Sequence, residues 1–328
     1  MSIRPPHRHA GRDLLVAAIP VALVVLAVVS LVTIAYGKDR AVAGTAEPVA
    51  VQRPLNDTPS PTATTTTTTT TTPSTPTEPP DNPAAAPAAV AAVDARATSD
   101  TDLGVAILDR TTGALSVGQE GATQFYSASV IKLFLIVDVL HDVETGQDTL
   151  DDDDTDLIQR ALSRSDDNAM DALWEQFDGA DAISQLISLA HLQNTQLPDD
   201  TSQWGETLIS ARDVVAVYQY ALTSLNAADR DLVMTALGNA ADSGADGFDQ
   251  AFGLLNPPRP GTVKAKQGWM IYGSQMMLHS TGVLGSQDQY VVAVLSKQDT
   301  GIGWAAGRQV VDNAVGALLT ALGPTALR

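Results

Sequence analysis

SASVIKLFLIVDVLHDV, residues 127–143, is apolar at almost every position and too long for a strand. It reads as a buried helix, ended by Glu144-Thr145-Gly146. One residue in it is out of place. Lys132 sits between Ile131 and Leu133, and burying an ammonium among apolar neighbours is costly and lowers its pKa. A lysine made neutral in this way is a general base. Ser129 lies three residues earlier on the same helical face. It is also near the helix N-terminus, where unpaired N–H groups favour a negative oxygen. A serine hydroxyl beside a desolvated lysine is a sensible nucleophile. Taken alone, the spacing leaves a second reading open, in which Lys132 snorkels to solvent.

Around this helix the pattern alternates between types. Residues 104–118 read as two short strands around Arg110-Thr111-Thr112-Gly113. Helical candidates follow at 155–163, 168–177, 180–192, 210–224 and 227–240. Then come three strands, 262–270, 275–284 and 289–297, and a last helix around 305–322. Two strands, a run of helices, three strands and a helix predict an α/β (α+β) fold. Its antiparallel sheet is completed by the N- and C-terminal parts, with helices on its faces and a helical cluster inserted.

Two further segments bear on chemistry. Ser165-Asp166-Asp167-Asn168 opens a helix, and Lys266-Gln267-Gly268-Trp269 lies on a strand. In isolation the first is a helix N-cap and the second carries a solvated lysine. In order behind Ser129-x-x-Lys132, they resemble the S-x-x-K, S-D-N and K-T-G series of the serine penicillin-recognising enzymes, class A β-lactamases and DD-peptidases. The resemblance covers 98–328. It implies that Ser129 is acylated, that Lys132 takes its proton and that Ser165 relays a proton to the leaving nitrogen. It further implies that Lys266 holds a substrate carboxylate, with Asp167 and Gln267 in the substrate-binding positions. Gly268 lets the strand approach, and the backbone N–H groups of Ser129 and Trp269 form the oxyanion hole. The implied substrate is a β-lactam or a peptidoglycan-type peptide, and the implied chemistry needs no cofactor.

This chain departs from the family pattern. Asp167 stands where the motif has Asn, and an ionised Asp cannot donate to a substrate carbonyl. Gln267 replaces the hydroxyl of K-T-G. No E-x-x-L-N follows the second motif, and Asp199, Asp200 and Glu206 do not match the glutamate that activates the deacylating water; Glu206 stands too close to the next helix. Efficient β-lactam hydrolysis is therefore not expected. A catalytically silent binding module remains the alternative. Asp151–Asp154 lacks the glycine and spacing of a calcium loop and reads as a helix N-terminus. His141, His191 and His279 have no zinc spacing, and His279 reads as structural.

The rest of the chain reads as a tether. Residues 14–36 run without a charge, long enough to cross a bilayer as part of a transmembrane helix over 13–36. Arg4, Arg8 and Arg12 precede it, which places residues 1–12 in the cytoplasm and the remainder outside. A signal peptide cleaved at Ala41-Val42-Ala43 is the competing reading. Residues 37–97 read as a disordered linker; from 44 to 97 they carry 10 Pro and 14 Thr. The formal charge is −19, and residues 98–328, with 12 bases and 31 acids, hold all of it. That balance excludes nucleic acid as a partner. With no cysteine, thiol chemistry and an acylated N-terminal Cys are excluded too.

Overall fold

The computed structural model describes residues 82, 84–259, 262–285 and 287–324. Its strands in chain order are β1 (Thr101–Asp109), β2 (Ala114–Val117), β3 (Phe125–Tyr126), β4 (Leu208–Ile209), β5 (Lys264–Tyr272), β6 (Gln275–Leu284) and β7 (Tyr290–Asp299). Its α-helices are α1 (Ala85–Asp94), α2 (Ile131–Thr145), α3 (Asp152–Ser163), α4 (Asp167–Gln176), α5 (Gly179–Leu189), α6 (Ala211–Thr223), α7 (Ala227–Gly238) and α8 (Gly303–Leu322).

β1 and β2 form a hairpin whose turn places Gly113 at φ +73°, a conformation glycine adopts without steric cost. β5, β6 and β7 form a meander. β1 then pairs with β7 from Thr101–Gln298 to Asp109–Tyr290. The resulting antiparallel sheet has the order β2-β1-β7-β6-β5, so the two ends of the domain close one sheet as their order in the sequence implies.

Both faces of the sheet are covered. Along β1, Leu103, Val105 and Ile107 point into a core shared with α1 and α8, while Ala106 and Leu108 point into the other, formed by α2–α7. A strand packed on both sides is apolar at nearly every position, and the middle of β1, residues 103–108, is. α2 runs through the second core, with residues Ile131–Leu140 all buried.

The N-terminal boundary differs from the sequence reading. The linker expected to run to residue 97 contains α1, with Ala85, Ala86, Ala89, Val90 and Val93 buried against α8 and β1. Alanine is the best helix former, and its small side chain lets two helices approach closely. Pro87 sits in the first turn, where its missing N–H costs nothing. Asp94 at the end of this helix accepts the Gln119 N–H (3.2 Å), joining it to the loop after β2. Counting prolines and threonines over a long window hides this short alanine-rich piece. The apolar segment 14–36 and the threonine run lie outside the described residues. Among the described residues no helix is long and apolar enough to cross a membrane.

Candidate active site

Ser129 lies in a single 3-10 turn, Ala128–Val130, that leads into α2. Ala128 has φ +46°, a left-handed conformation that costs a non-glycine residue roughly 1–3 kcal/mol. Neighbouring segments hold the turn in place. The Ser127 N–H donates to the Thr207 carbonyl (2.8 Å), and the Ser127 hydroxyl donates to the Gly205 carbonyl (3.2 Å). From β6, fully buried His279 clamps the preceding residue. Its Nδ1 accepts the Ser296 N–H (3.2 Å), so Nε2 carries the proton and donates to the Tyr126 carbonyl (2.8 Å). Burial pushes the His279 pKa down to about 4, so the ring is neutral. The free edge of β5 closes the other side. A Cβ on Gly268 would lie 3.0 Å from Val130 and 3.1 Å from the Ser127 carbonyl, so a side chain there would press on the Ser129 turn.

Lys132 is completely buried, and its Nζ lies 2.7 Å from Ser129 Oγ. Burial pushes its pKa down. Asp167, at the start of α4, opposes this with a carboxylate 2.6 Å from the same nitrogen. The indole of Trp204 covers Lys132, its ring centre 4.4 Å from Nζ, and donates its N–H to Asp171 (2.8 Å). Ser165 has φ +51°, and its hydroxyl accepts from Lys266 Nζ. The adjacent Asp166 is the N-cap of α4, accepting the Asn168 and Ala169 N–H groups and a two-nitrogen clasp from Arg160.

Lys266 is as buried as Lys132. It donates to Ser165 Oγ and to the Gln267 carbonyl (2.9 Å). Burial, then the nearby positive charge of Lys132, holds its pKa well below the usual lysine range. Its own carbonyl accepts from Thr281 Oγ1 (2.8 Å), which also meets the Tyr218 hydroxyl (3.0 Å). Two serines and two buried lysines from α2, the α3–α4 junction and β5 therefore meet in one place. The pair nearest the cleft, Ser129 and Lys132, can exchange a proton directly.

A family model described as the "Beta-lactamase enzyme family" matches residues 86–155 and 153–323. The chain belongs to that family. It is 34% identical over 210 residues to LppW of Mycobacterium tuberculosis, a protein named as a lipoprotein. That match spans 62% of this chain and 66% of LppW, just under two thirds of the relative's length. Among solved structures, a class A β-lactamase representative from Bacteroides cellulosilyticus superposes with a TM-score of 0.62 at 15% identity, covering 74% of this chain and 99% of that one. A β-lactamase from Sphaerobacter thermophilus gives 0.57 at 18%, covering 72% and 97%. At these identities the likeness is one of fold.

Within the β-lactamase fold, several residues sit differently from the motif reading. Gln267, expected to face substrate, points to the opposite side of β5. Its amide donates to the Phe252 carbonyl (2.5 Å), and the side chain is buried. Successive strand residues face opposite ways, so Gln267 cannot share the face of Lys266. Asp167, also expected at substrate, holds Lys132 with one oxygen while its side chain stays 62% exposed to the cleft. Trp269 lines the cleft, stacked on Phe248 with ring centres 4.7 Å apart. Glu206, set aside for its closeness to the next helix, is in the cleft wall beside Ser129, whereas Asp199 and Asp200 are not among the lining residues. The cleft encloses about 530 Å³. Asp171 and Trp204 line it as well, and no motif in the sequence marks either. Asp171 is one helical turn beyond Asp167, a spacing that shares a face; Trp204 sits in a loop with no periodic signal.

Asp151 and Asp154 form a reciprocal capping box at the start of α3. Among the described residues no group of three or more His, Cys, Asp or Glu is arranged to hold a metal.

Proposed function

We propose that the chain is a membrane-tethered, extracytoplasmic serine hydrolase that forms an acyl-enzyme through Ser129 on a β-lactam or a cell-wall peptide. The observation that carries this reading is the 2.7 Å contact between Ser129 Oγ and the fully buried Lys132 Nζ. Lys132 takes the hydroxyl proton as Ser129 Oγ attacks the acyl carbon. The Lys266–Ser165 pair returns a proton to the leaving nitrogen. The backbone N–H groups of Ser129 and Trp269 receive the oxyanion, each worth roughly 10²–10³ in rate. The tether is the apolar segment 14–36. A relative named as a lipoprotein supports anchoring outside the cell, and this sequence has no cysteine to carry a lipid.

Turnover of the acyl-enzyme is slow on this reading, because no E-x-x-L-N motif supplies the deacylating glutamate; Glu206 lines the cleft but lies outside such a motif. Incubating the full chain with labelled penicillin tests it: a covalent adduct on Ser129 by intact mass is the expected result. Absence of an adduct removes penicillin recognition, and a fluorophosphonate probe then asks whether Ser129 is a nucleophile at all. The ion pair of Asp167 on Lys132 favours a second reading, a silent binding module in which the lysine stays charged. In that case Ser129→Ala retains the biological phenotype.

A further inference from the structure

The cleft is charged in the opposite sense to the one its motifs imply. The motif lysine assigned to a substrate carboxylate, Lys266, is wholly buried and bonded to Ser165 and the Gln267 carbonyl. The adjacent hydroxyl that would share the task is replaced by Gln267, which faces away. Among the described residues no lysine or arginine lines the cleft. Asp167, Asp171 and Glu206 do, beside the aromatic walls of Trp204, Trp269 and Tyr272. Lys132 lies beneath the Trp204 ring and is paired with Asp167. An incoming ligand therefore meets three carboxylates and three aromatic rings, and no free cation. A carboxylate ligand would be repelled, while an ammonium would find both counter-charge and ring faces.

Building on the acyl-transfer reading above, we propose that this cleft selects acyl substrates carrying a positive charge, an amine-bearing peptide, amide or ester, over the anionic substrates its motifs imply. The chemical step is unchanged. A bond forms from Ser129 Oγ to the acyl carbon and the bond to the leaving group breaks. Lys132 takes the hydroxyl proton, and the Lys266–Ser165 pair returns a proton to the leaving group. The charge on the substrate acts on encounter and binding.

The test uses the full chain in a nonionic detergent and three activated esters of equal length, ending in an ammonium, a neutral amide or a carboxylate. Ser129 acylation is followed by intact mass. The ammonium ester is expected to react roughly tenfold or more faster than the carboxylate ester at low salt, and the ratio to shrink as salt is added. Asp171→Asn combined with Glu206→Gln brings the ratio toward one. Equal rates, a faster carboxylate ester, or a ratio that neither salt nor the double variant alters overturns the proposal. If none of the esters labels Ser129, the acyl-transfer reading fails. Charge selection is then read separately, from tryptophan fluorescence of Ser129→Ala titrated with the matching unreactive amides. Tighter binding of the ammonium amide supports it, and equal or weaker binding overturns it.

Discussion

Lys132 is pulled in opposite directions by burial and by its acidic neighbours, chiefly Asp167. Burial drives it toward the neutral amine that can take a proton from Ser129, and Asp167 at 2.6 Å favours the ammonium. Replacing Asp167 by Asn removes the larger part of the second influence and leaves burial in place. The pKa of Lys132 then falls further, its neutral fraction at a given pH rises, and the acid limb of Ser129 acylation moves to lower pH by about one unit or more. A pH series of adduct formation by intact mass measures this; a limb that stays in place shows that Lys132 is not the titrating base. Lys132→Met, by contrast, is expected to slow acylation on the order of a hundredfold or more at all pH values. Gln267 belongs to a different class of residue. Its amide serves the Phe252 carbonyl, so Gln267→Ala costs about 1–3 kcal/mol of stability in a denaturant melt, while the acylation rate of the folded protein is retained. Gln267 on β5 and Lys132 on α2 thus separate by measurement into a residue of the scaffold and a residue of the site. Strand alternation alone puts the side chains of Lys266 and Gln267 on opposite faces of β5.

At the scale of elements, what is legible in the sequence follows the range of the interaction. The contact of Ser129 with Lys132 is one helical turn and can be read from spacing. The contact of Ser165 with Lys266 joins residues 101 apart, and only the ordered motifs of a family bring them together. The strand meander and α3–α8 announce themselves by period. β3 and β4, two residues each, carry no periodic signal, yet they hold the two loops that frame Ser129. α1 was hidden by its proline- and threonine-rich surroundings, and it yields a prediction. A chain starting at residue 82 retains the helix, and one starting at 98 loses it. Fully burying Val90 and Val93 alone stabilises by about 1.5–3 kcal/mol each, and the exposed β1–α8 surface adds to the loss. The shorter chain is therefore expected to melt several degrees lower or to aggregate, as read by thermal unfolding. Equal melting temperatures would show that the helix is dispensable and restore 98 as the boundary.

At the scale of the whole molecule, stability depends on pH, and two of the buried groups responsible, His279 and Asp138, act with opposite sign. His279 is held at about 4, below its ordinary 6.5, so the unfolded chain binds more protons between those values. Its contribution is fully present above pH 6.5 and is lost as pH falls toward 4, on the order of 3 kcal/mol. Asp138, buried in α2, is pushed up from 3.8 to about 8 by burial, with the charge of Asp142 adding to it and the Gln185 amide opposing it. Here the folded state binds the extra proton. Its protonated carboxyl is tolerated below pH 3.8, and stability drains as pH rises toward 8, on the order of 5 kcal/mol. The Asp138 and His279 slopes oppose each other between about pH 4 and 6.5, and above 6.5 the two buried lysines, held below their ordinary range, act against the Asp138 slope. Asp138→Asn removes the ionisation while keeping the shape. Its melting temperature should exceed that of the parent by a margin that widens steadily from pH 4 to pH 8 and then levels. A margin independent of pH would mean that Asp138 does not titrate in the folded protein, and that a partner for its carboxylate exists within the core.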